Sequence, residues 1–280
     1  MMLAKPKLSD VVAQSARQDV IIGIRKASLA YSGYGEMVPA LAEADIEVRA
    51  GELIAIVGPS GCGKSSLMKL VSGLIPPTSG EIVVRGKRVT KPIAGVGMAF
   101  QNPTLFPWRT TIDNVMLPLE LVKPYADDFR RKKSEYREKA LSLLASVGLD
   151  GFAQKFPWQL SGGMQQRANL CRALIHEPEI LLLDEPFGAL DQFTREDLWS
   201  VMQDLSARKR FAAILVTHDL REAVFLADTV YVMSRRPGRV ISVQTISIPR
   251  PRTLETTFTP QFTEIVHELR TLISKEHVVS

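Results

Sequence analysis

The chain has 280 residues, 45% of them apolar, and 35 Lys and Arg against 30 Asp and Glu give it a net charge of +5. That is enough apolar material for a proper core in one large or two smaller domains, and no run of about 18 apolar residues offers a membrane-spanning helix. The cations are spread along the chain, with Arg130-Arg131-Lys132-Lys133 the densest cluster, so a nucleic-acid partner is not expected.

Residues 1–19 carry lysines but no continuous apolar stretch, which reads as a flexible leader rather than a secretory signal. From Val20 to Val48, the spacing of Ile22, Ile24, Leu41, Ala44, Ile46 and Val48 predicts antiparallel strands joined at Ser32-Gly33-Tyr34-Gly35. Tyr31, at the end of the first strand, is either an aromatic packed on a sheet edge or a flat ring on which an adenine can stack.

Leu53-Ile54-Ala55-Ile56-Val57 reads as a buried strand and Ser66-Leu67-Met68-Lys69-Leu70-Val71 as the start of a helix. Between them, Gly58-Pro59-Ser60-Gly61-Cys62-Gly63-Lys64-Ser65-Ser66 fits the phosphate-loop pattern G-x-x-x-x-G-K-[ST] at every fixed position. Its glycines let successive N–H groups turn onto one anion, and the helix N-terminus adds partial positive charge there. Lys64 would reach the β- and γ-phosphates, and the Ser65 hydroxyl would ligate Mg²⁺.

Gly73 and Pro76-Pro77-Thr78-Ser79-Gly80 end that helix; Glu81–Gly86 and Gly97–Phe100 predict two more strands, the second buried and ending at Gln101. A glutamine beside a phosphate site can ligate Mg²⁺ through its carbonyl or orient a water. Residues 102–159 lose strand alternation, and Phe129, Tyr136, Ala140, Leu143, Leu144 and Val147 predict a helix over Asp128–Val147 with Gly148 as its C-cap. This reads as a helical insertion. At its start, Leu105-Phe106-Pro107-Trp108-Arg109 is either local packing or an exposed apolar dock for a partner.

Leu160-Ser161-Gly162-Gly163-Met164-Gln165-Gln166-Arg167 ends a loop and opens a helix, so Ser161, Gly162 and Gly163 form a second anion-binding helix N-terminus. Two such sites in one chain suggest a head-to-tail homodimer, each nucleotide held between the first site of one copy and the second of the other. The apolar strand Ile180–Leu183 finishes in Asp184-Glu185, where Asp184 would hold Mg²⁺ beside Ser65 and Glu185 would take a proton from the attacking water. Asp191, in Gly188-Ala189-Leu190-Asp191, either caps a helix beginning near Thr194 or acts across a dimer interface. Ala213–Val216 is a further strand, and His218 at its carboxyl end is placed to bond a γ-phosphate. The two cysteines, Cys62 and Cys171, make no disulfide or metal pattern and suit a reducing cytosol.

With these motifs in order, residues 20 to 245 resemble the ATP-binding subunit of ATP-binding cassette (ABC) transporters. The resemblance implies an α/β fold: a P-loop NTPase cassette with a RecA-like parallel-sheet core, an N-terminal antiparallel β subdomain and an α-helical signature subdomain. It implies a leader over 1–19, an ATPase domain over 20–250 with its helical part about 102–175, and a C-terminal extension over 251–280 with a terminal helix. It makes Tyr31 the adenine-stacking aromatic and Gln101 a Mg²⁺ contact that senses the membrane partner. Ser161 to Gly163 would bind the γ-phosphate in trans, Asp191 would couple the two sites, and His218 would be the switch histidine. Met164 departs from the commonest signature, which has glutamine there.

Leu105–Val115, Asp184–Arg195 and Ala227–Arg239 are similar to the importer group for nitrate, sulfonates, taurine and bicarbonate, and Thr259-Pro260-Gln261-Phe262 suits its sulfonate and taurine members. Residues 92–97 lack the Gly-Pro-Gly and arginine usual there. The implied protein hydrolyses ATP with Mg²⁺ as a homodimer peripheral to the cytoplasmic face of the inner membrane. Two integral-membrane permease subunits are its implied partners, docked near Gln101 to Arg109, with a substrate-binding protein as an indirect one. A cassette of another importer or lipid-trafficking group is the alternative, and a soluble ABC ATPase acting on ribosomes or DNA is a further one.

Overall fold

Two separate sheets line a common apolar core. The computed structural model describes residues 20–33 and 36–278; the leader read into residues 1–19, and Tyr34 and Gly35 of the expected turn, lie outside the described residues. The first sheet is antiparallel, in the order β2 (Glu36–Arg49), β1 (Val20–Gly33), β4 (Ser79–Val84), β5 (Lys87–Arg88). The second has the order β10 (Val240–Thr245), β9 (Thr229–Met233), β3 (Leu53–Val57), β8 (Ala212–Val216), β7 (Ile180–Asp184), β6 (Val96–Ala99), and only the β9–β10 pair is antiparallel.

Period-two alternation explains why β3, β7 and β8 are apolar throughout. Leu53, Ala55, Val57, Leu181, Leu183, Ala213 and Leu215 enter one core. Their neighbours Ile54, Ile56, Ile180, Leu182, Ile214 and Val216 enter the other, formed with the antiparallel sheet and helix α1 (Lys64–Val71). A strand buried on both faces has no polar side, as expected for the interior of a parallel sheet. β6 is the edge strand and only half-buried, and it ends at Ala99, so Gln101 sits exposed on a loop rather than at a buried strand end.

The first core continues into the helices α2 (Thr111–Leu121), α3 (Tyr125–Asp128), α4 (Lys133–Ser146), α5 (Gly162–Leu174), α6 (Gln192–Lys209) and α7 (Leu220–Leu226). The helix expected over Asp128–Val147 is therefore divided, with α4 beginning only at Lys133. Arg130 to Lys133 supply the reason: four successive cations oppose the positive end of a helix, and Arg131 and Lys132 instead fold back on Asp128 at 2.6 and 3.9 Å. The last helix, α8 (Pro260–Val278), buries Phe262, Ile265 and Leu269 in the same core as Ile246 and Ile248.

Candidate nucleotide-binding site

The chain leaves β3 at Val57 and re-enters helix at Lys64, two residues earlier than the sequence pattern suggests. Gly63 caps that helix at φ 105°, a left-handed conformation that favours glycine. A Cβ there would meet Ala40 O and Leu41 Cδ2, both at 2.8 Å, so β2 lies directly against the loop. Lys64 is buried, and its Nζ donates to the carbonyl oxygens of Gly58 at 2.8 Å and Pro59 at 2.9 Å. Cys62 is buried beneath the loop, where desolvation raises its thiol pKa.

A pocket of about 310 Å³ opens above this loop. Ser60, Gly61, Gly63, Lys64, Ser65 and Ser66 line its floor, Tyr31 and Ala40 one end, and Gln101 and Glu185 belong to the same lining. Tyr31 is 38% exposed, and its hydroxyl lies 3.0 Å from Ser66 Oγ. Ser65 Oγ donates to Asp184 Oδ1 at 3.2 Å, bringing together two groups from α1 and the end of β7. Burial raises the Asp184 carboxyl pKa, with the neighbouring Glu185 charge acting in the same direction and the Ser65 hydrogen bond opposing it.

Glu185 stands at φ 47°, unusual for a residue with a side chain. Its N–H extends the sheet by bonding Val216 O at 2.9 Å. Gln101 Nε2 donates to Glu185 Oε2 at 3.0 Å, and His218 Nδ1 approaches the same oxygen at 3.4 Å. His218 thus faces the carboxylate, while its side chain stays largely exposed.

Oxygen donors from Ser65, Asp184 and the Gln101 amide suit Mg²⁺, which is usually bound by one or two carboxylates together with substrate phosphates and water. Among the described residues no group of three or more His, Cys, Asp or Glu could cage a metal.

Ser161, Gly162 and Gly163 do not line this pocket. They open α5 elsewhere, with Ser161 Oγ accepting from Met164 N at 3.3 Å. Asp191 N-caps α6 by accepting from Thr194 N at 3.0 Å, a bond that also lowers its pKa. The helix starts at Gln192, and the capping alternative for Asp191 is what the geometry displays. Both segments touch: a Cβ on Gly163 would lie 2.9 Å from Leu190 Cδ2.

Sequence reasoning missed the struts behind the site. Gln166 is buried, and its Nε2 donates to Gln101 O and Glu185 O, each at 3.3 Å. Asn169 Nδ2 donates to Phe100 O at 3.2 Å, and Arg172 reaches Thr104 O and Oγ1, both at 2.7 Å. Their three-residue spacing along α5 was the available signal: a polar stripe on a helix otherwise turned to the core. Arg236 was also missed, although it lines the pocket.

The apolar segment is corrected in one respect. Leu105 is 8% exposed and belongs to the core, whereas Trp108 is 70% exposed and stacks on Phe106 with ring centres 4.9 Å apart. Asn114, fully buried, fixes this loop by accepting from Phe106 N at 2.7 Å and donating to Phe106 O, Arg109 O and Thr110 O.

A family model described as ABC transporter matches residues 41–188. The aliphatic sulfonates import ATP-binding protein SsuB of Bacillus cereus is 39% identical over 231 residues, 82% of this chain and 88% of its own length. The taurine import ATP-binding protein TauB of Escherichia coli is 42% identical over 211 residues, 75% of this chain and 80% of its own. Among solved structures, a dimeric post-hydrolysis state of the ATP-binding cassette MJ0796 bound to ADP and Pi aligns with a TM-score of 0.73 and 29% identity, covering 81% of this chain and all of that one.

Proposed function

The chain belongs to the ABC transporter family, and from that premise we propose that it is the ATP-hydrolysing subunit of an importer for small sulfonates, of the aliphatic sulfonate or taurine kind. It works as a homodimer on the cytoplasmic face of the membrane. The observation that carries this reading is the meeting of Ser65 and Asp184 at 3.2 Å beneath a pocket lined by Lys64, Gln101 and Glu185. The names of the relatives, both import subunits for sulfonated compounds, supply the substrate class.

The residues divide the work. Lys64 and the N–H groups of the phosphate loop bind the β- and γ-phosphates, exchanging the lysine's contacts with Gly58 O and Pro59 O for phosphate oxygens. Ser65, Asp184 and Gln101 would hold Mg²⁺, which would supply positive charge against the phosphate oxygens during hydrolysis. Glu185 accepts the proton of the attacking water, and Gln101 and His218 orient its carboxylate through the same oxygen, Oε2.

Ser161 to Gly163 lie away from this pocket, which favours their use on a nucleotide held by a second copy. Asp191, beside them, links that helix start to α6. No helix among the described residues is long and apolar enough to cross a membrane, so closure energy reaches a substrate through permease subunits. The exposed Phe106–Trp108 stack is the docking surface we assign to them.

The test is growth of the native host, with this gene deleted, on taurine or an alkanesulfonate as sole sulfur source, alongside detergent co-purification of the tagged chain. Loss of growth and recovery of a multi-spanning permease are expected. Undiminished growth on both compounds would overturn the substrate class, and absence of a membrane partner would overturn transport.

A further inference from the structure

β9 ends at Met233, and residues 234–239 turn back over the phosphate loop. The loop's neck is closed by Ser234 N donating to Arg239 O at 2.9 Å and Arg239 N donating to Ser234 Oγ at 3.0 Å. Its far side is stitched to β2: Gly238 N donates to Ala40 O at 2.9 Å, and Ala42 N donates to Gly238 O at 3.0 Å. Below, Gly238 approaches the phosphate loop so closely that a Cβ would meet Cys62 O at 2.0 Å. Only glycine fits between the two loops. The segment is therefore a fixed wall of the nucleotide pocket.

Arg236 projects from this wall and lines the pocket. Its Nε donates to Pro39 O at 2.9 Å. In the β1–β2 register Pro39 faces Ala30 and Val38 faces Tyr31, so the tether to Pro39 O brings the guanidinium to the strand that carries Tyr31. Among the described residues Arg236 makes no ion pair with a carboxylate, and its two terminal nitrogens have no hydrogen-bond partner. An arginine with Nε anchored keeps four N–H donors in a fixed plane, a geometry suited to phosphate and hydroxyl oxygens.

We propose that Arg236 is a nucleotide-binding residue, its guanidinium donating to the ribose and α-phosphate oxygens of the nucleotide from the Tyr31 end of the pocket. This rests on the reading of the pocket as the ATP site. Ribose and α-phosphate are common to ATP and ADP, so the contribution is the same for both. A charge-assisted contact of this kind is worth roughly a tenfold change in affinity.

Calorimetric titration of the full chain with ADP and with the non-hydrolysable analogue AMP-PNP tests it, using wild type, Arg236→Ala, Arg236→Gln and Lys64→Ala. Arg236→Ala should weaken both nucleotides about tenfold by equal factors, Arg236→Gln should fall between it and wild type, and thermal melting should show both folded. Wild-type affinity for both nucleotides in folded Arg236→Ala would overturn the proposal alone. A loss confined to AMP-PNP would also overturn it, because the contact would then lie at the γ-phosphate. If wild type binds neither nucleotide, or Lys64→Ala binds both as wild type does, the reading of the pocket fails and the proposal with it.

Discussion

Gln101 and Glu185 stand 84 residues apart in the chain and 3.0 Å apart in space, the amide of one donating to the carboxylate of the other. Gln101 lies on the loop that leads to the exposed Phe106–Trp108 stack, and Glu185 lies at the end of a fully buried strand. Buried Gln166 holds both backbones from behind. A displacement of the exposed loop therefore reaches the carboxylate through two side-chain amides. That is a mechanical route from the proposed docking surface to a candidate general base.

Glu185→Gln should retain nucleotide affinity and lose turnover. The substitution keeps the volume and leaves Lys64 and Ser65 untouched, but an amide cannot take a proton from water. Loss of a general base is expected to lower kcat by about 100-fold or more, with the dissociation constant for AMP-PNP changed by less than about threefold. Phosphate release and calorimetry on the same preparation check this; steady turnover in the variant would remove Glu185 from the role.

Asp184 trades stability for function. Burial raises its pKa, so above that pKa the folded state carries a charge the unfolded chain solvates better. The sign is fixed: this cost is present at neutral pH and fades as pH falls through the raised folded value, where the group becomes protonated. Asp184→Asn should therefore raise Tm at neutral pH, with the gain shrinking in acid. Hydrolysis should be lost in the same variant, and in wild type Mg²⁺ dependence should weaken as pH falls. Melting curves across pH with matched activity assays measure both.

Arg252 is buried with carbonyls for company. Its Nη1 donates to Val224 O, Phe225 O and Ala227 O at 2.8, 3.1 and 2.7 Å, closing the C-terminal end of α7, and its Nε donates to Ile248 O at 3.1 Å. Gln203 pairs with its backbone in both directions. Arg252→Met fills the space but orphans those carbonyls, at a cost of about 1–3 kcal/mol for each left unsatisfied. A fall in Tm of about 5 °C or more is expected, and Arg252→Lys should recover little of it, since an ammonium cannot reproduce the planar fork. Thermal melting of both variants decides the point.

Much of this was legible in the sequence because its motifs are local. Gly58 to Ser66 announces a strand, a loop and a helix within one short window, and Ile180 to Glu185 a buried strand with carboxylates at its end. Period two assigned the strands, and their apolar character on both faces gave the parallel sheet. What was not legible depended on pairs distant in the chain. Arg236 meets Tyr31's strand only through Pro39, and nothing near Arg236 predicts that. Gln166 and Asn169 look like surface polar residues until α5 is packed against the Gln101 loop. The break at Arg130 to Lys133 was a conflict between apolar spacing, which favours a helix, and charge at its N-terminus, which does not.

Leu105 and Trp108, three positions apart, separate docking from folding. The sequence groups them in one apolar segment, but Leu105 is 8% exposed and Trp108 70%. Trp108→Asp should cost about 1 kcal/mol, the stacking on Phe106, and lower Tm by about 2 to 4 °C while leaving the fold intact. It should also release the chain from the permease proposed as its partner, because the exposed ring is the largest apolar element of the proposed dock. Leu105→Asp should instead destabilise the fold by several kcal/mol through a buried unpaired charge, losing association only as a consequence. Membrane co-purification and melting curves on both variants distinguish the two effects. Retained association in folded Trp108→Asp would move the dock to another face.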